Sequence, residues 1–289
     1  MKLISSKIVI GTAQFGFDYG ISNTTGKVSE DEAFKILDLA EKLGINFIDT
    51  AYAYGDSHKI IGKYLKSNVK NGIEVITKIS NNHGDYKAQW KKTLIDLSVP
   101  PFTLLMHDPK DLDDKKFVKF LLEKKSNKEV KRIGVSVYDS NDLDNILSLF
   151  TPDIIQLPIN IFNREFFENG ILEELKKRNI EIHARSVFLQ GLCFLENYDI
   201  KEKFSFFSEK IIKFKSIIEE KGLSLPEVSI NWVNSISQID KIIIGVTNST
   251  ELLLNFEYLR KKINIKDFED ILKFEFNDKN LINPYLWKN

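Results

Sequence analysis

Asp49, Tyr54, Lys78 and His107 are the residues whose types could move a proton together. A tyrosine hydroxyl, with an ordinary pKa of about 10, is a reluctant acid at neutral pH and needs help to hand its proton over quickly. A lysine ammonium beside it favours the phenolate. An aspartate behind the lysine keeps that cation charged and oriented, while a neutral histidine hydrogen-bonds the same substrate oxygen and aligns it. The set suits protonation of an oxygen that is becoming an alkoxide. Singly, each residue has a plainer reading: Asp49 caps a turn, Lys78 snorkels out of a sheet mouth, His107 is a hydrogen-bonded structural histidine and Tyr54 packs with its hydroxyl in water. Only convergence makes them chemistry, so the elements that carry them decide the matter.

Short apolar runs alternate with helix-periodic segments along most of the chain: "KIVIGT", "NFIDT", "EVITKI", "FTLLMH", "RIGVSV", "DIIQLP", "EIHARSV" and "KIIIGV". Between them lie segments such as 30–43, with Ala33, Ile36, Leu37 and Ala40 at helical spacing, and 168–177, closed by Arg178 and Asn179. Continuous apolar strands separated by helices imply a parallel sheet buried on both faces. Eight such units predict a (β/α)8 barrel rather than an open sheet, as one α/β domain over 1–289 with extra helices near the C-terminus. The long gap before the last strand predicts helices over 206–220 and, after the "GLSLP" break, 226–235; the tail after the last strand predicts an added helix and cap. In a barrel the strand ends form one rim, and this rim carries Gln14, Asp49 and then Tyr54, Lys78, His107, Ser136, Gln156, Arg185 and Gly245.

Composition narrows the partner. Lysine plus arginine (41) cancels aspartate plus glutamate (41), so nothing in the charge favours nucleic acid or an anionic membrane. With the single cysteine Cys193 no intrachain disulfide can form. The N-terminal apolar run is too short for a signal peptide, and no stretch approaches the ~18 apolar residues of a membrane span. The expectation is a cytoplasmic protein acting on a small molecule, with no nucleic-acid or membrane partner and an oligomeric state that cannot be read.

The segments "GTAQFG" (11–16), "DTAYAYG" (49–55), "TKIS" (77–80), "LLMHDP" (104–109), "RIGVS" (132–136), "IIQLPINIFNR" (154–164) and "IIIGVTNSTELLLN" (242–255) resemble the aldo-keto reductases, in that family's order and across nearly the whole chain. The resemblance implies a metal-free barrel that transfers hydride between NADPH or NADH and an aldehyde or ketone. Tyr54 would be the general acid, Lys78 and Asp49 its electrostatic partners, and His107 the group that orients the carbonyl; Tyr52 falls on a variable position. It further implies that Ser136 and Gln156 hold the nicotinamide amide, that Gly11, Thr12, Arg185 and Ser186 line the cofactor, and that Gly245, Thr247, Glu251 and Asn255 hold its adenosine end.

The chain departs from the family pattern in three respects. Val137 stands where many members carry an asparagine that contacts the carboxamide. Arg185 stands where an aromatic ring often stacks on the nicotinamide, a place its planar guanidinium could take. Gly245 and Glu251 stand where many members bind the 2′-phosphate of NADPH with a lysine and an arginine. A carboxylate there repels phosphate and can accept from a ribose hydroxyl, so NADH should serve at least as well. The pocket wall is expected from Phe15, Phe17, Asp18 and Tyr19, from His58, from Phe162, Asn163 and Arg164, and from Phe188. Aromatics beside such polar groups suit a sugar-derived carbonyl, and "GTAQFGFDYGISN" with "HARSVFLQGL" is similar to bacterial members met in carbohydrate and surface-polysaccharide pathways. Two other classes compete: a Schiff-base aldolase using Lys78, and a catalytically silent barrel that binds cofactor as a regulatory subunit. A metal-dependent isomerase lacks its cluster, since the histidines are only His58, His83, His107 and His183.

Overall fold

The apolar runs form the strands β1 Ile8–Gly11, β2 Phe47–Asp49, β3 Glu74–Ile79, β4 Thr103–Met106, β5 Arg132–Ser136, β6 Ile154–Pro158, β7 Glu181–Arg185 and β8 Lys241–Gly245. They come from a computed structural model that describes residues 2–67, 72–261, 263, 265–276 and 278–287. All neighbours pair in parallel, β1 pairs with β8, and the sheet closes into the expected eight-stranded barrel.

Side chains alternate across each strand, so residues two apart face the same way. Val9, Ile76, Leu105, Ile154 and Ile243 fill the barrel interior, with Phe47 packed against them. A much larger apolar cluster occupies the layer between strands and helices. The next inward positions toward the C-terminal rim are Gly11, Asp49, Lys78, His107, Ser136, Gln156, Arg185 and Gly245. The hydrophobic interior therefore carries a polar layer directly above it. β2 runs one residue further than its apolar pattern, so Asp49 is a strand residue paired with Gly11 and Ile76, not the first residue of the turn.

The helix Glu30–Lys42 buries Ala33, Ile36, Leu37 and Ala40 and is capped by the Ser29 side chain, which accepts from the Glu32 N–H. The segment 168–177 is not one helix: Glu165–Glu168 ends and Ile171–Lys177 begins at Gly170, whose φ of 71° takes the chain out of the right-handed region. Before β8 the chain forms Asn197–Lys203, Ser208–Glu220 and Leu225–Ser235. Phe206 thus lies ahead of the helix expected to contain it, while Ser224 caps the last one with Pro226 in its first turn. Beyond β8 come Ser249–Arg260, Ile265–Leu272 and Lys279–Ile282. Among the described residues no helix is long and apolar enough to cross a membrane.

Candidate active site

A cavity of about 1250 Å³ opens above the polar layer. Tyr54 reaches it from the turn after β2, and that turn is held by close backbone packing against the short helix Ala13–Gly16. A Cβ at Gly16 would lie 1.8 Å from the Tyr54 carbonyl oxygen, and one at Gly55 2.6 Å from the Gly16 carbonyl oxygen. Only glycine at both positions lets the two backbones meet, and Gly55 also has a positive φ of 49°. A buried hydroxyl chain secures the same region: Thr12 Oγ1 donates to the Asp49 carbonyl (2.9 Å), Ser57 Oγ donates to Thr12 Oγ1 (2.8 Å), and Ser57 meets Thr50 Oγ1 at 3.0 Å.

Beneath Tyr54 lies Lys78, 1% exposed, with Nζ 5.1 Å from the Tyr54 ring centroid. Nζ donates to Asp49 Oδ1 at 2.5 Å and to the Thr50 carbonyl at 3.0 Å. Burial draws the lysine below its ordinary pKa, Asp49 opposes this, and Arg185 adds to it. The second Asp49 oxygen accepts from Gln156 Nε2 at 2.8 Å. Both carboxylate oxygens are thus engaged, and the ion pair is fixed in position. His107 stands edge-on to Tyr54, ring centroids 5.8 Å apart, and His83 lies 6.2 Å beyond it. Burial, with Lys78, Arg185 and His83 nearby, pushes the His107 imidazole down to about 3, so it is neutral at physiological pH. A phenol over a buried cation, beside a neutral imidazole, can hold a substrate oxygen at two points and give it one proton.

The cavity wall also includes Gly11, Thr12, Phe17, Tyr19, Ser136 and Gln156, and, from β7 onward, Arg185, Ser186, Phe188, Gly245, Thr247, Glu251 and Asn255. Six expected wall residues are not on this cavity: Asp18 accepts from Asn23 Nδ2 at 3.0 Å, Asn163 lines a smaller neighbouring pocket, and the other four pack elsewhere. Phe15 is wholly buried in the core. His58 sits inside the helix Ser57–Ser67 with Nε2 2.8 Å from Thr77 Oγ1, and burial pushes it down to about 4. Phe162 packs on Phe214 and Phe276, and Arg164 binds Glu168 Oε1 (2.7 Å) and the Phe274 carbonyl (3.0 Å). The aromatic and long side chains of that loop turn down to seal the barrel wall against the C-terminal segment.

Arg185 is placed differently from a ring stacked on a nicotinamide. Its guanidinium lies over Tyr138 at 4.6 Å, and it donates to the Val137 carbonyl (2.8 Å) and Ser186 Oγ (3.2 Å). Thr12, though on the wall, has its hydroxyl committed to Asp49 and Ser57. Lys78 lies beneath the wall with Nζ donating to Asp49 and the Thr50 carbonyl, a placement that suits a charged partner of Tyr54 better than an imine-forming amine.

Reading strand ends missed Glu32, Ser57 and Tyr138. Glu32 Oε1 accepts from the Ser249 N–H (2.9 Å) and hydroxyl (3.0 Å), at the start of the helix Ser249–Arg260. Beside it, Glu251 accepts from the Thr247 N–H and hydroxyl, both at 2.7 Å. No strand-end signal marks Glu32, which comes from a helix on the other side of the chain closure. Between β1 and β8 the Gln14 amide lies against Gly245, where a Cβ would come within 2.7 Å of it, and its buried Oε1 has no partner among the described residues.

Residues 7–275 match the profile of the Aldo/keto reductase family. A 51-residue stretch is 51% identical to the aldo-keto reductase str7 of Strobilurus tenacellus, covering 17% of this chain and 15% of that one. The uncharacterized oxidoreductase YqkF of Bacillus subtilis is 22% identical over 86% of this chain and 89% of its own. Among solved structures, the holo form of aldo-keto reductase AKR11C1 from Bacillus halodurans superposes with a TM-score of 0.75 at 17% identity, covering 97% of this chain and 95% of that one. With a family profile spanning nearly the whole barrel and all its strand ends, this chain belongs to the aldo/keto reductase family.

Proposed function

We propose that this chain reduces an aldehyde or ketone, the substrate being a sugar-derived carbonyl, with Tyr54 as proton donor. The family's general chemistry is NAD(P)H-dependent carbonyl reduction. The observation that carries the assignment of roles is the meeting of Tyr54, Asp49 and His107 on one cavity, with the buried Lys78 directly beneath, paired to Asp49 and under the Tyr54 ring. Neutral His107 and the Tyr54 hydroxyl hold the carbonyl oxygen. Tyr54 then gives its proton to that oxygen as negative charge develops there, and the Lys78 cation stabilises the phenolate left behind. Asp49 keeps Lys78 charged and aimed, and Gln156 keeps Asp49 in place.

The residues fit a nicotinamide dinucleotide. Gly11 and Gly245 stand side by side on β1 and β8, Ser136 and Gln156 line the same cavity from β5 and β6, and Thr247, Glu251 and Asn255 line it around the start of the helix Ser249–Arg260. The bound cofactor supplies the hydride. Replacing Tyr54 by Phe should lower kcat by about 10²- to 10⁴-fold while NADH still quenches intrinsic fluorescence. Full turnover in that variant excludes Tyr54 as the acid.

For the choice of cofactor we read the helix start at Ser249. A helix N-terminus attracts anions, but here two carboxylates already hold its donors: Glu251 at Thr247 and Glu32 at Ser249. A 2′-phosphate brought to this place meets like charge and spent donors. NADH should therefore give kcat/KM at least equal to that of NADPH, and a hundredfold preference for NADPH would sink the reading.

A further inference from the structure

The cavity over Tyr54 has a neighbour of about 180 Å³, and Tyr19, Tyr138, Arg185 and Gln190 line both. Its far wall is built by the β6 loop and the C-terminal segment, with Asn163, Glu165 and Ile282 facing it. Asn160 braces this wall: Nδ2 donates to the Ser186 carbonyl at 3.0 Å, and Oδ1 accepts from the Phe162 and Asn163 N–H groups. Other polar atoms are not spent. Asn163 Nδ2 and the Gln190 side-chain amide make no hydrogen bond with the described residues, and Arg185 Nε is buried without a partner. Glu165 uses one carboxylate oxygen on Ser140 and keeps the other.

The loop above this pocket is held in an uncommon conformation. Ser186, Leu189 and Gln190 all have left-handed φ values (58°, 45° and 53°), and the Gln190 carbonyl accepts from the Ile21 N–H at 2.9 Å. Strain of this kind persists only where the surroundings over-determine it, and it gathers at ligand clamps. Here it sets Gln190 on the partition between the two spaces.

We propose that this side pocket receives the hydroxylated tail of the substrate, and that the enzyme selects a neutral, polyhydroxylated carbonyl; the proposal rests on the reductase reading above. Amides and a carboxylate oxygen are donors and acceptors suited to hydroxyl groups, and a plain alkyl chain leaves them unpaired. Charge argues for neutrality: Arg185 and Lys279 balance Asp139 and Glu165, with Lys279 3.3 Å from Asp139. A terminal phosphate or carboxylate would face both acids, while the two cations are already engaged, Lys279 by Asp139 and Arg185 by the Tyr138 ring and the Val137 carbonyl. A volume of about 180 Å³ takes several water-sized groups, on the order of a three- or four-carbon polyol.

The test is steady-state kcat/KM for D-erythrose, butanal and D-erythrose 4-phosphate, with 4-nitrobenzaldehyde as a carbonyl that needs no side pocket. D-Erythrose should exceed butanal by about tenfold or more, the effect of one or two hydrogen bonds, and should exceed its phosphate ester. Ile282→Trp fills the pocket and should bring the erythrose-to-butanal ratio toward one; Asn163→Ala, which adds no bulk, should lower it severalfold even if the tryptophan variant does not fold. Turnover of 4-nitrobenzaldehyde with no erythrose advantage, a preference for the phosphate ester, or a ratio unmoved by Asn163→Ala overturns the side-pocket assignment alone. No turnover of any carbonyl overturns the reductase reading and this proposal with it.

Discussion

At the scale of single residues, Asp49 ties the site together through its two oxygens, one on Lys78 and one on Gln156. Asp49→Asn leaves the buried Lys78 without its counter-ion, and breaking a buried pair from one side typically costs about 3–5 kcal/mol. Urea titration should show a loss of that order. Adding Lys78→Met should recover much of the stability, because a buried apolar chain replaces an uncompensated cation, yet turnover should remain abolished. A double variant that is both stable and active would contradict the roles given to the pair. That Asp49, Tyr54, Lys78 and His107 would come together was legible because each sits two positions past an inward apolar residue or in the turn that follows. Phe15, His58, Phe162 and Arg164 were misread because a loop or helix residue near the rim has no such parity. Which way it turns depends on neighbours such as Thr77, Phe214 and Phe274, far away in the chain.

At the scale of elements, the turn that carries Tyr54 works only because the helix Ala13–Gly16 can lie against it. Gly16→Ala would drive a methyl into the Tyr54 carbonyl, a contact of backbone with backbone that no rotamer relieves. The expected result is destabilisation of about 1–3 kcal/mol in urea melts, together with a fall in kcat of at least about tenfold as the tyrosine shifts off the site. Unchanged kcat would mean that the turn is positioned by something other than this contact. Both glycines stood in the motifs from the start, but their partner in space was invisible, since the pairing joins segments some forty residues apart. The break at Gly170 was hidden for a similar reason: helical spacing on both sides masks a single left-handed residue.

At the scale of the molecule, the polar layer sits on an apolar interior, and groups buried in or behind the barrel wall resist charging. Burial is the main cause that holds His58 down at about 4, against an ordinary 6.5. The unfolded chain therefore takes up this proton first as the pH falls. The His58 contribution is complete above about pH 6.5 and is lost as the pH drops toward 4, at a slope of at most about 1.4 kcal/mol per pH unit. His107 acts in the same direction. Urea midpoints measured between pH 7 and 4.5 should fall, and His58→Gln should flatten the profile; an identical slope in that variant would show that His58 does not carry the effect.

What the sequence determined by itself was periodicity and chemistry: eight apolar runs with helices between them favour a closed parallel barrel over an open sheet, and strand alternation places Asp49, Lys78 and His107 on its inner face. Local composition suffices there because strands buried on both faces read as continuous apolar runs, and the count of eight such units favours closure. Tertiary structure alone decided which loop side chains face the cavity. It stacked Arg185 on Tyr138, brought Glu32 to the start of the helix Ser249–Arg260, and joined a second pocket to the first. Those outcomes depend on contacts between segments far apart in the chain, where packing volume and unpaired polar groups select the arrangement and no short-range pattern records it.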